Sequence, residues 1–269
     1  MKRIINFFLQ HVPRKHLIRL SFLVRKFTSL YYKGNNYTCP VCEKSFRTFM
    51  PYGYHTIREN VLCPNCLSLE RHRILWLFLQ NKTNFFTDRL KVMHVAPEQC
   101  FLDRFRKMEN LDYTTVDMES PIADVKADVQ SLPFEDDLFD VVICNHVLEH
   151  VYDLSRSLSE LLRVLKLDGF AILQVPFDTK HETTYEDPTV VDRKEREKHF
   201  LQYDHLRLFG RDYPDVIKNA GFRIDEENYW DEITNEMKEK YRLPEFEFMY
   251  AFKKISNRYG AGKNRITVP

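Results

Sequence analysis

The chain has 269 residues, 43% hydrophobic and 29% charged, a normal globular composition that argues against disorder. A net charge of +1 argues against a generic polyanion binder. The charge is uneven. Eight Lys or Arg and no acid fall in residues 1–33, so the remaining 32 basic and 39 acidic residues leave the body at −7.

Residues 1–33 read as helical with a break near Pro13. Leu17, Leu20, Val24, Phe27 and Tyr31 form one apolar stripe, with Arg19, Arg25 and Lys26 off it. Such a helix packs on its own protein, lies on anionic lipid as a peripheral contact with the inner face of a membrane, or meets nucleic acid. No apolar run reaches the ~18 residues of a spanning helix. Ile4–Leu9 is short and interrupted by Asn6, unlike a signal peptide. The expected compartment is the cytoplasm.

Cys39-Pro-Val-Cys42 and Cys63-Pro-Asn-Cys66 follow. Two residues between thiolates let one tight turn aim both sulfurs at one ion, and two such turns complete a tetrahedral set suited to Zn²⁺. Four protein ligands leave no open position, so the expected role is structural. Residues 67–80 then read as a helix presenting Leu67, Ile74, Leu75 and Phe78 on one face.

From Leu90 the pattern alternates. Strands are expected at Leu90–Val95, Asp112–Val116, Asp140–Cys144, Phe170–Val175, Phe222–Tyr229 and Phe246–Lys253. Helices fit Gln99–Met108, Leu154–Leu165 and Asp212–Ala220, with Gly169 and Gly221 as stops for the last two. This predicts an α/β fold with a mostly parallel sheet and an antiparallel pair at its C-terminal edge. Residues 179–209 show no clear strand and read as a lid or substrate loop. The tail after Lys254 is basic and poorly patterned. The expected organisation is a basic helical segment at 1–35, a zinc-binding module at 36–82, the α/β domain at 83–254 and a tail at 255–269. The pattern specifies no oligomeric state.

In open α/β sheets ligands bind at the carboxyl ends of the strands. The first such end, His94-Val95-Ala96-Pro97-Glu98, lacks the usual glycines, and Glu98 would repel a pyrophosphate. The second ends at Asp117, where a carboxylate can accept bonds from both hydroxyls of a ribose.

Val116-Asp117, Asp128-x-x-x-Leu132-Pro133-Phe134, Phe139-Asp140-Val-Val, Leu148-Glu149-His150-Val151 and Glu160-x-x-Arg163-Val164-Leu165-Lys166-x-x-Gly169 come in one order. Together they resemble the class I S-adenosylmethionine (SAM)-dependent methyltransferases, type 11-like. More narrowly, the chain resembles a bacterial group with a zinc ribbon in front, the His-x-Ala-Pro-Glu turn, and a late segment matched by Gln202-Tyr203-Asp204-His205-Leu206-Arg207. The resemblance spans roughly residues 37–225. It implies a Rossmann-like, mostly parallel seven-stranded sheet with helices on both faces, and SAM as cofactor. By it, the turn containing His94, Ala96, Pro97 and Glu98 faces the methionine part, and Asp117 with Met118 holds the ribose. Asp128 and Val129 meet the adenine, and Asn145 and His146 lie alongside.

A hydroxyl acceptor would need a base, for which His146, His150 and His205 are candidates, with Asp204 orienting or assisting. Arg207 could grip a phosphate or carboxylate, or form a salt bridge. The leading expectation is methylation of a small molecule or of a glycan or lipid-linked intermediate. The acidic body argues against nucleic acid. The alternatives are an RNA methyltransferase whose zinc module binds RNA, and a non-catalytic interaction protein.

Overall fold

The computed structural model describes residues 25–53, 57–176, 178–225, 229–245 and 247–254. Most of the expected basic helix lies outside them; residues 25–31 are helical, with Phe27, Leu30 and Tyr31 exposed. The tail at 255–269 also lies outside. No helix of the described residues is long and apolar enough to cross a membrane.

Two antiparallel hairpins come first: β1 (Lys33–Cys39) with β2 (Lys44–Phe46), and β3 (Met50–Tyr52) with β4 (Arg58–Leu62). Helix α1 (Glu70–Lys82) follows. Its pattern predicts one apolar face, yet Ile74 through Leu79 are all buried, so the helix is enclosed on most sides. Helix α2 (Gln99–Phe105) explains part of this: Trp76 stacks on Phe101 and Phe105. Phe78 meets Tyr229 edge-on.

The remaining strands are β5 (Leu90–Val95), β6 (Leu111–Val116), β7 (Phe139–Cys144), β8 (Leu165–Ile172), β9 (Tyr185–Glu186), β10 (Arg207–Leu208), β11 (Phe222–Ile224) and β12 (Phe252–Lys254). The remaining helices are α3 (Leu154–Val164), α4 (Arg193–Phe200), α5 (Tyr213–Asn219) and α6 (Asn235–Tyr241). The main sheet runs β11-β12-β8-β7-β5-β6. Val92 pairs with Val141 and Val141 with Phe170 in parallel, while β12 runs antiparallel to both β8 and β11. The α/β, mostly parallel architecture is as the sequence implies.

Three details differ. The sheet has six strands among the described residues, not seven. After β6 the chain makes one parallel bridge, Val116 to Val125, because it turns at once on Asp117, which accepts from the Glu119 and Ser120 amides, and Pro121 follows. Second, the antiparallel pair does lie at the edge, as β11 and β12, but its two strands are joined through a 3₁₀ turn at Tyr229–Glu232 and α6 rather than by a tight link. Third, Gly169 is no helix stop. Helix α3 ends at Val164 and the next strand begins at once, so Gly169 lies within β8. Gly221, with φ +102°, does follow the end of α5.

The chain forms two compact units. The first takes residues 1–90, 96–126 and 228–249; the second takes 91–95, 127–227 and 250–269. In the second, Asp153 caps α3 by accepting from the Arg156 amide at 2.9 Å, and Leu158, Leu161 and Val164 bury its apolar face. The stretch 179–209 is more structured than its sequence suggests. Strands β9 and β10 pair antiparallel, and Asp192 caps α4.

A β-carbon at Gly169 would stand 2.6 Å from the Asp140 carbonyl oxygen and 2.9 Å from Leu165 Cδ1. Gly169→Ala is therefore expected to cost about 1–3 kcal/mol in chemical denaturation. An unchanged midpoint would show that this strand crossing has slack.

Candidate functional site

In the first unit, the hairpins present the four cysteines in two equivalent knuckles. Glu43 donates its amide to the Cys39 carbonyl at 2.8 Å, and Leu67 donates to Cys63 at 3.0 Å. Glu43 and Leu67 are left-handed, with φ +57° and +62°. Each knuckle thus closes on the residue after its second cysteine. All four thiols are buried. Cys39 and Cys66 Sγ lie 3.6 Å apart, Cys42 and Cys63 3.7 Å. Zn–S bonds of about 2.3 Å in a tetrahedron set sulfurs about 3.8 Å apart, so the donor set and spacing fit zinc.

Crowding splits the thiols. Hydrogen bonds from Cys39, Cys63 and Cys66 draw Cys42 far below the usual thiol range, while burial pushes Cys63 and Cys66 up. Joint ionisation needs a nearby cation. One is Arg73, fully buried on α1, whose guanidinium donates to the Val61 and Ser68 carbonyls at 2.9 Å and to Arg242. Burial lowers its pKa, and the Cys39 thiol opposes that shift. Sequence pattern did not single out Arg73; it sits among apolar helical positions and only the fold aims it at the knuckle backbone.

The residues expected to hold the cofactor divide between the units. In the first, Ala96 has φ +48° and donates its amide to the Val116 carbonyl at 2.8 Å. The position that usually carries glycine thus keeps the glycine conformation with a methyl side chain. Pro97 is partly exposed. Glu98 Oε1 lies 4.0 Å from His72 Nε2. His72 Nδ1 accepts from the Leu69 amide at 3.0 Å, so its proton sits on Nε2, facing Glu98. Asp117 Oδ1 accepts from the Glu119 and Ser120 amides at 2.8 and 2.7 Å. Among the described residues no hydrogen bond engages its Oδ2. Met118 is exposed.

In the second unit, His94 is fully buried in β5. Asp128 is held by Gln130, whose amide N–H donates at 2.9 Å and whose side chain reaches both carboxylate oxygens. This is a local turn, and Val129 beside it is buried. Asn145 is buried and its Oδ1 accepts from the Gln174 amide at 3.3 Å. His146 has φ +53° and donates its amide to the Gln174 carbonyl at 2.8 Å.

The four catalytic candidates lie together in this unit, at the segment after β7 and the segment before β10. His146 Nδ1 is 3.5 Å from Glu149 Oε1. The His150 and His205 rings meet edge-on with centroids 4.8 Å apart. His150 Nδ1 lies 3.1 Å from the Asp204 carbonyl oxygen and 3.7 Å from Asp204 Oδ2. His205 Nδ1 lies 3.0 Å from the Phe200 carbonyl oxygen. A carbonyl only accepts, so each Nδ1 carries a proton, and in the neutral ring Nε2 holds the lone pair. Burial depresses the His205 pKa, which keeps it neutral. Asp204 thus orients His150.

Arg207 does not grip an external anion here. It is buried and donates to the Leu148 and Val151 carbonyls at 2.6 Å each and to Glu186 at 2.8 and 3.2 Å. Arg207 and Glu186 face each other directly across β10 and β9. Leu206 donates its amide to the Glu149 carbonyl at 2.8 Å. Arg207 therefore fixes the loop that carries Glu149 and His150. The Gln-x-Asp-His-x-Arg motif contained this residue; its inward direction needed the fold.

Residues 85–173 match the family model described as a methyltransferase domain. A 44-residue stretch is 43% identical to the uncharacterized methyltransferase YcgJ of Bacillus subtilis, covering 16% of this chain and 17% of that protein. Another, of 45 residues, is 53% identical to the 2-phytyl-1,4-naphtoquinone methyltransferase of Nostoc punctiforme, covering 17% and 20%. The chain spans about a fifth of the length of these curated relatives. Among solved structures, the Burkholderia thailandensis 1,6-didemethyltoxoflavin-N1-methyltransferase, with its namesake compound and S-adenosylhomocysteine bound, is 14% identical. That match covers 63% of this chain and 72% of the other, with a TM-score of 0.42.

Two outcomes follow from the geometry. Arg207→Met leaves the Leu148 and Val151 carbonyls without their donor, and a loss of about 3 kcal/mol or more is expected in urea denaturation. A loss under about 1 kcal/mol would mean the loop holds itself. Ala96→Gly relieves a left-handed alanine, so stability should stay level or rise by up to about 1 kcal/mol, whereas Ala96→Val should lower it.

Proposed function

We propose that the protein transfers a methyl group from SAM to a hydroxyl of a small molecule or of a glycan or lipid-linked intermediate, a reading supported by the match of residues 85–173 to the methyltransferase-domain model. The observation that carries the reading is the pair His150 and His205, each held by a backbone carbonyl at Nδ1 so that Nε2 is left to take a proton. When bound, SAM supplies a methyl group on a sulfonium, whose departure leaves a neutral thioether. The residues suit such a cofactor. Glu98 offers negative charge that favours a sulfonium and disfavours a pyrophosphate, and Asp117 Oδ2 can accept from a ribose hydroxyl. His150 or His205 would take the acceptor proton as the acceptor oxygen bonds to the methyl carbon and the carbon–sulfur pair returns to sulfur. Positioning would supply most of the acceleration.

A small acceptor is favoured by the formal −7 carried outside residues 1–33. The naphthoquinone named for the Nostoc relative is a small molecule too. We further propose that the buried Cys39, Cys42, Cys63 and Cys66 bind a structural Zn²⁺, with Arg73 offsetting one of the two negative charges that Zn²⁺ and four thiolates leave.

Calorimetric titration of S-adenosylhomocysteine into the zinc-replete chain should give micromolar binding that Asp117→Ala weakens by at least about ten-fold, one lost charge-assisted hydrogen bond being worth about 1.5–3 kcal/mol. No binding to either protein would sink the methyl-transfer reading. Elemental analysis should find zinc in the purified protein, and Cys63→Ser should lose it with a lower melting temperature. A zinc-free chain with an unchanged melting curve would remove the structural-zinc proposal.

A further inference from the structure

Glu149 is 1% exposed, and its Oε2 has no hydrogen-bond partner among the described residues. No lysine or arginine there pairs with it; its ion-pair contact is His146, through the other oxygen. A carboxylate buried without a cation costs several kcal/mol unless something charged or protonated faces it. Gln174, also buried, has an Nε2 with no partner among the described residues.

His150 and His205 complete the picture. One ligand atom from each of Glu149, His150 and His205 lies within 4.8 Å of the other two. Both histidines donate Nδ1–H to a backbone carbonyl, the arrangement that fixes ligating imidazoles with Nε2 toward a metal. Bonds of about 2.1 Å place donors about 3–3.5 Å apart, so the trio must close by at most about 1.3–1.8 Å. His150, with its side chain 32% exposed, has the room to turn. Arg207, by contrast, holds the backbone on both sides of Glu149 and leaves its carboxylate in place.

We propose that Glu149, His150 and His205 form a second metal site, distinct from the four cysteines, for a divalent transition ion such as Zn²⁺ or Mn²⁺. Two imidazoles and one carboxylate leave coordination positions open, in contrast to a closed four-thiolate site. Oxygen donors would fill them: water at rest, an acceptor hydroxyl during turnover. Coordination lowers a hydroxyl's pKa; with both Nε2 atoms on the metal, the proton passes to solvent water rather than to His150 or His205, the oxygen bonds to the methyl carbon and the carbon–sulfur pair returns to sulfur. That catalytic use rests on the methyl-transfer reading; the metal site itself does not.

The test uses Mn²⁺ added to the full-length, zinc-replete chain, read by electron paramagnetic resonance and calorimetry. One Mn²⁺ per chain is expected, with affinity at least about ten-fold weaker in Glu149→Gln and in His150→Asn. Glu149→Gln keeps the buried shape, and His150 is partly exposed, so matching melting curves will identify properly folded variants. Absence of Mn²⁺ binding to the wild-type chain, or equal binding by both folded variants, would overturn the site. S-adenosylhomocysteine titration of the same samples separates the two readings. Variant-sensitive Mn²⁺ binding without S-adenosylhomocysteine binding would keep the metal site and discard methyl transfer.

Discussion

A buried guanidinium sets the geometry of the histidine cluster. Arg207 has five donors and spends them on the Leu148, Val151 and Tyr152 carbonyls and on Glu186. Three of those acceptors belong to one short stretch after β7. Left alone, that stretch would expose backbone carbonyls with no partner inside the unit. Tied to Arg207, it carries Glu149 and His150 to the neighbourhood of His205. Asp204 and His205 precede Arg207 in the same run, so one anchor positions both halves of the cluster.

Two of the eight left-handed non-glycine residues among the described residues stand at the ends of parallel strands, where ligands bind in such sheets. Ala96 follows β5 and His146 follows β7, and both are left-handed without being glycine. Each costs about 1–2 kcal/mol, and each is held by a backbone hydrogen bond, Ala96 to Val116 and His146 to Gln174. Strain maintained by its surroundings is a common mark of functional turns. At Ala96 it also answers the question raised by the missing glycines, since the turn keeps its shape with the smallest side chain that has a β-carbon.

The cysteine knuckles meet a different constraint. Their hairpins are short, and little apolar surface is available within them. Cohesion comes from the buried thiols and from α1, whose Arg73 reaches the knuckle backbone and lies over the Phe49 ring at 4.7 Å. A helix buried on most sides thus also delivers a charge to the cysteine cluster.

Much of this was legible in the chain. Cys-x-x-Cys spacing named the four thiols because two intervening residues dictate one turn. The alternation of strands such as Leu90–Val95 and Asp140–Cys144 with helices implied the mostly parallel sheet, and the ordered motifs from Asp117 to Gly169 carried the resemblance that the family model over residues 85–173 matches. Local rules failed where a competing interaction was non-local or used side chains. Gly169 reads as a helix stop but lies within β8, packed closely against the Asp140 carbonyl of the neighbouring strand. The sequence by itself determined the main alternating strands and helices after Leu90 and the cysteine set, because these follow from periodicity and spacing within a few residues. Only tertiary structure decided that Glu149 and His205, 56 positions apart, share one buried cluster, and that Arg207 points inward to hold it. The physical reason is that charge burial and hydrogen-bond satisfaction are settled by which backbone carbonyls end up nearby, and no local pattern encodes that.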